Sequence, residues 1–154
     1  MLLNFSNTIK YEKKYIRKRK NKNYWRISIS SNLFCKFLIN HGMILGKNKT
    51  FNIKLPSLNS RKLYLAFLLG FFDGDGTENT TRITTASLRF LKEIKDKFDI
   101  QYEPKRVESK FKSKKKVYLG HAYIMYLGGR LFNELIDNYS DSLPRKRKRF
   151  VSYD

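Results

Sequence analysis

Residues 63–76 read LYLAFLLGFFDGDG, an apolar run of helix length that ends in two aspartates one residue apart. The run falls short of the roughly 18 apolar residues that a membrane-spanning helix needs, so it predicts a core helix. Ala66, Gly70 and Gly74 recur every four residues and share one side of it. A mid-helix glycine costs about 1 kcal/mol relative to alanine, which points to close approach by another helix backbone. Two copies packed on that side bring Asp75 of each together at the foot of the pair. Carboxylate oxygens, with carbonyls released where the helix ends, suit a hard cation such as Mg²⁺. Such an ion activates water and stabilises the leaving oxygen of a phosphodiester. A plain helix-ending turn also accounts for DGDG when those four residues are taken alone. An EF-hand does not, because counting from Asp73 puts Glu78 at its sixth position and Thr84 at its twelfth.

The rest of the chain has the charge for such a substrate. Lys and Arg number 33 against 13 Asp and Glu, a formal net charge of +20 that favours a polyanionic partner. A hydrophobic content of 41% is enough for a folded interior. The single Cys35 excludes an intramolecular disulfide and a thiolate zinc cluster, and is expected as a buried thiol. His41 and His121 are too few and too distant for a zinc site. No amphipathic helix with one clean basic face favours a membrane surface. The first residues lack the charge, apolar and small-residue order of a secretory signal, and are Ser-poor for a transit peptide. These features predict a soluble nucleic-acid-binding protein.

Along the chain, residues 10–23 (KYEKKYIRKRKNKN) form a basic arm, either a solvated face or a phosphate-binding segment. YWRISIS (24–30) alternates as a half-buried strand with Trp25, Ile27 and Ile29 inward, and Ser31 or Asn32 caps a helix that stops at Gly42. TFNIKLP (50–56) reads as a second strand, and SLNS (57–60) caps a helix from Arg61 to about Phe72. A short hairpin is expected over Thr77 to Ala86, then a helix. Residues 99–127 read as strand, Lys-rich turn and longer returning strand, and a last helix restarts after Gly128 and Gly129. RISISSNLFCKFL (26–38) is echoed by RITTASLRFLKEI (82–94), the mark of a duplication or of coincidence. The pattern is α+β with mostly antiparallel strands. GMILGKN (42–48) is no phosphate-binding loop, having one residue too few between its glycines and no Ser or Thr after Lys. RKRKR (145–149) also fits a nuclear-import signal.

LLGFFDGDG, residues 68–76, resembles the signature of the LAGLIDADG homing endonucleases. Leu68, Gly70, Asp73, Asp75 and Gly76 match, Phe71 and Phe72 are apolar as required, and Leu69 and Gly74 stand where Ala is frequent. The resemblance runs from about Tyr24 to Phe150. It implies motif helices packed at the centre of a homodimer or pseudo-dimer, with curved antiparallel sheets straddling the DNA major groove. The division it suggests is a basic arm (1–23), an incomplete first half (24–60), and a half carrying the motif helix (61–154).

By position, the resemblance makes Asp75 the metal-binding carboxylate, with the Gly74 carbonyl a further ligand for Mg²⁺ or Mn²⁺. Asp73, Gly70, Ala66 and Gly76 become structural. Lys146 supplies charge at the reacting phosphate, with Arg145 and Lys148 as competitors, and Ser87 falls where a polar residue positions water. Base readout falls to Arg26, Ser28, Ser30, Arg82 and Thr84 on strand faces, and phosphate contact to Lys112, Lys114, Lys115, Lys116 and Arg145. The implied activity is metal-dependent hydrolysis of double-stranded DNA at a long site. The alternative is a degenerate DNA- or RNA-binding protein on the same scaffold, an intron maturase or a regulator, with intron RNA as the ligand. The chain departs from the pattern in having one motif, as expected if a first motif is lost, lies upstream of this start or is replaced by a partner, so the second carboxylate is expected from a homodimer or from a missing or partner half. It also departs in the shortness of the Thr77–Ala86 hairpin. The compartment stays open: organellar, or that of a protein encoded by a mobile intron, virus or phage.

Overall fold

The computed structural model describes residues 9–10, 16–18, 20, 24–46, 49–113, 116–139 and 146, with the backbone alone over 109–113 and 116–118. The chain divides into two compact units, residues 1–37 and 38–154.

In the first unit, β1 (Ile16–Lys18) pairs antiparallel with β2 (Trp25–Ile27), setting Ile16 against Ile27, Arg17 against Arg26 and Lys18 against Trp25. The strand expected over 24–30 is therefore three residues long, and Trp25 is exposed rather than inward. Ser31 starts α1 (Asn32–Asn40) by accepting the Phe34 N–H at 3.2 Å. The division between the units falls within α1, which has no buried residue. Cys35 is exposed, contrary to expectation, because none of its own helix turn is buried. The helix closes at Gly42, whose φ of +94° is one that L side chains rarely adopt.

The second unit is built on α3 (Arg61–Asp75). Ser60 caps it by accepting the Leu63 N–H at 3.3 Å, and Tyr64, Leu65, Leu68, Leu69 and Phe72 repeat at helical spacing to form its buried side. Before it, TFNIKLP is no strand: α2 (Lys49–Asn52) is a single turn, and 53–57 has no regular structure. That segment gives its backbone groups to side chains instead, Ile53 C=O to Ser87 Oγ at 3.2 Å and Leu55 N–H to Glu93 at 2.7 Å. After α3, the expected hairpin reduces to one strand, β3 (Arg82–Thr85), and a single bridge from Ile83 back to Gly76.

Ser87 then caps α4 (Leu88–Phe98), which buries Phe90, Leu91, Ile94 and Phe98 and ends with Asp99 left-handed. Strands β4 (Lys105–Ser113) and β5 (Lys116–Tyr126) form the long hairpin, and the antiparallel sheet runs β3-β5-β4. α5 (Gly129–Asn138) follows, contributing Leu131, Phe132 and Leu135 to the core. Ile83 and Met125, paired across β3 and β5, face the same core. Rings pack edge to face across it, Phe72 with Phe132 at 4.7 Å and Phe71 with Phe90 at 4.9 Å between centroids. At the other end of α3, Arg61 forks onto Glu134 at 2.9 and 2.8 Å, and Tyr139 donates to the Lys62 carbonyl. The unit is α+β, with helices on one face of a small antiparallel sheet.

Candidate active site

The last turn of α3 carries two acids and no base. A helix C-terminus already bears about half a negative charge, so two carboxylates there raise the local demand for a cation. One cation arrives from the far end of the chain. Lys146, 7% exposed, donates to the Phe72 carbonyl at 3.0 Å and to the Asp73 carbonyl at 2.8 Å, with its Nζ 5.5 Å from the centre of the Phe72 ring. The Phe72 carbonyl also accepts the Gly76 N–H at 2.8 Å, so an ammonium and an amide together close the helix end. Lys146, expected to reach a reacting phosphate, lies at the motif but is turned onto the helix.

The two aspartates differ in setting. Asp73 is half-buried beside this closure, whereas Asp75 is exposed at the last helical position. Gly76 is fixed by space rather than by φ: a Cβ there would run into the ring and carbonyl of Phe72. Gly70 and Gly74 are the opposite case, since a Cβ on either would meet nothing within 4 Å. With Leu63 46% exposed and Ala66 half-buried, the small-residue side of α3 is open along its length.

Beyond the helix, Arg82 donates through Nε to Thr77 Oγ1 at 3.0 Å, and the Thr77 N–H to the Arg82 carbonyl at 2.8 Å. Strand alternation and register put Arg82, Thr84, Ile124, Tyr126 and Lys105 on one face of the sheet, opposite the buried Ile83 and Met125. Tyr126 and Tyr102 are exposed there as an edge-to-face pair at 6.5 Å. Neither tyrosine stands out in the sequence. Their signal is the position of Tyr126 directly across from Arg82, which only the register reveals.

Ser87 is buried, with its hydroxyl accepting the Phe90 N–H at 3.3 Å and donating to Ile53. Arg26, Ser28 and Ser30 are exposed in the first unit. Lys112 and Lys116 lie on β4 and β5 at the turn end of the hairpin, while Lys114, Lys115, Arg145 and Lys148 fall outside the described residues. Among the described residues, no group of three or more His, Cys, Asp or Glu could hold a metal ion.

Residues 62–138, half of the 154-residue chain, match the model of the LAGLIDADG-like domain. The chain belongs to the LAGLIDADG family. That family of homing endonucleases and maturases binds DNA, and the matched span covers α3, the three-stranded sheet, α4 and α5. No curated protein and no solved structure matches the chain. Among the described residues, no helix of this LAGLIDADG protein is long and apolar enough to cross a membrane.

Proposed function

We propose that this chain is a LAGLIDADG homing endonuclease that hydrolyses phosphodiesters of duplex DNA with Mg²⁺ or Mn²⁺, acting as a homodimer. One observation carries the reading: Asp75 is exposed at the foot of a helix side whose glycines are open to a second backbone. The donor set fits the ion in kind, a carboxylate with the Gly74 carbonyl beside it, and a second Asp75 from a second copy completes it in number. When bound, the ion lowers the pKa of water and stabilises charge on the leaving oxygen. Asp75 holds it, and Asp73 stays with the helix closure. Lys146 keeps one positive charge at the end of α3, beside the place where a phosphate docks. Arg82 and Thr84, sharing a sheet face with Tyr126 and Lys105, read base edges. Lys112, Lys114, Lys115, Lys116 and Arg145 take phosphates. Arg26, Ser28 and Ser30 belong to an incomplete first half. Ser87 stays in the α4 cap and takes no part.

The test is cleavage of DNA spanning the chain's own coding site by the purified full chain with Mg²⁺ or Mn²⁺. Asp75→Asn is expected to slow cleavage about 10²–10³-fold, the loss typical of removing one electrostatic stabiliser, while DNA affinity is kept. If the wild type never nicks that DNA and Asp75→Asn binds as the wild type does, the endonuclease reading fails and a binding protein on this scaffold stands.

A further inference from the structure

Trp25 is the chain's single tryptophan, and it is 58% exposed. A tryptophan is the side chain with most to gain from packing, so an indole left in water on a short ribbon calls for a ligand. Its neighbours specify which. Tyr24 beside it is 45% exposed, and Lys18 is its partner across the ribbon. One pair along, and on the opposite face of the ribbon, Arg17 faces Arg26, both exposed. Like charges directly opposite on antiparallel strands destabilise the pairing, and an anion lying over them relieves it. The unit has almost no acid to supply one: residues 1–37 hold ten Lys and Arg against Glu12 alone.

The geometry points to a binding site for unpaired nucleotides of a single-stranded nucleic acid, in which Trp25 stacks on a base and Lys18, across the ribbon on the same face, contacts the adjoining phosphate, while Arg17 and Arg26 attract the backbone from the other face. Aromatic faces set among cations are how proteins hold single strands without reading sequence. A duplex gives such a platform little to grip, because its base faces are already stacked on one another. Only their edges reach the grooves, where polar side chains read them. The inference does not depend on cleavage at Asp75, because it concerns the other unit and applies equally to a chain that never cuts. Single-stranded DNA and RNA share the chemistry, so the two are separated by experiment.

Trp25 emission reports only its own surroundings, since the chain holds no other tryptophan. The full chain is titrated at about 0.15 M salt with oligouridylate, with oligodeoxythymidylate and with a closed hairpin duplex of equal phosphate content. Quenching by one or both single strands and not by the duplex is the expected result. Quenching by RNA alone adds a 2′-hydroxyl contact, and quenching by both assigns the binding to stacking and phosphates. Trp25→Ala should weaken single-strand binding about 5- to 150-fold, the worth of one base–aromatic stack, while Trp25→Phe retains most of it. Lys18→Gln should reduce the slope of log affinity against log salt by about 0.7. Equal quenching by duplex, no quenching by any of the three, or unchanged single-strand affinity in Trp25→Ala overturns the inference.

Discussion

Gly74 and Gly76 stand two positions apart and answer to different constraints. At Gly76 the chain turns back so tightly over Phe72 that any Cβ must displace a ring already packed on Phe132. At Gly74 there is open space. Gly76→Ala is therefore expected to lower unfolding free energy by about 1–3 kcal/mol through overpacking. Gly74→Ala should be neutral or stabilising by up to about 1 kcal/mol through helix propensity. Urea titrations of both variants, at concentrations where the chain is monomeric, check the contrast. The same stretch shows what single residues disclose in advance. Two aspartates in one motif look alike as letters, and helical periodicity sets Asp75, three residues after Phe72 and seven after Leu68, on the buried side; the structure instead exposes Asp75 where the helix ends and half-buries Asp73. Lys146 was legible as a charge near the motif, because a basic run follows the last helix. Its two bonds to the Phe72 and Asp73 carbonyls were not, since they span 74 and 73 residues of sequence.

Among the elements, the helices were the most readable, because their signals are local. Ser31, Ser60 and Ser87 each cap by the same bond, from the N–H three residues on. Where an element depends on distant partners the sequence misleads: TFNIKLP alternates like a strand, but its partners are Ser87 and Glu93 of the α4 region rather than another strand. Two carboxylates that tie elements together have a measurable consequence. Burial pushes the Glu93 carboxyl up, but the Leu55 N–H, the Arg89 bond and the charges of Arg89 and Lys54 together hold it below its ordinary value. The Arg61 hydrogen bonds hold Glu134 low against a smaller opposing effect of burial, with the charges of Arg61 and Arg130 adding to them. A depressed folded-state pKa contributes stability that is present above the unfolded value, about 4.3 for Glu, and is lost as pH falls through the lower folded value. Stability should therefore decline below about pH 4, and the decline should be shallower in Glu93→Gln and Glu134→Gln. Denaturation midpoints measured across the acid range test this. A decline equally steep in both variants would assign it to other groups.

At the scale of the whole molecule, the unresolved quantity in the sequence was the second carboxylate, and the structure turns it into a question about one surface. A buried helix needs no glycine at position 70, where an added Cβ touches nothing and alanine would favour the helix by about 1 kcal/mol. Leu63 stays largely exposed on the same helix. A glycine that costs local stability and meets nothing within 4 Å is what the proposed contact with a second motif helix requires. Gly70→Leu separates the two requirements. It should leave the folded monomer as stable as the wild type or slightly more so, because helix propensity improves and no neighbour is displaced. It should also abolish self-association, because a leucine wedge holds the two backbones apart. A chain of charge +20 repels its copy, so association is measured by sedimentation at about 0.3 M salt, where charges more than about 6 Å apart are screened, and again with DNA bound. Loss of dimer and of cleavage with retained stability is the outcome that a half-site on each chain requires. Wild-type assembly and cutting in Gly70→Leu would place the interface elsewhere and leave Asp75 without its counterpart.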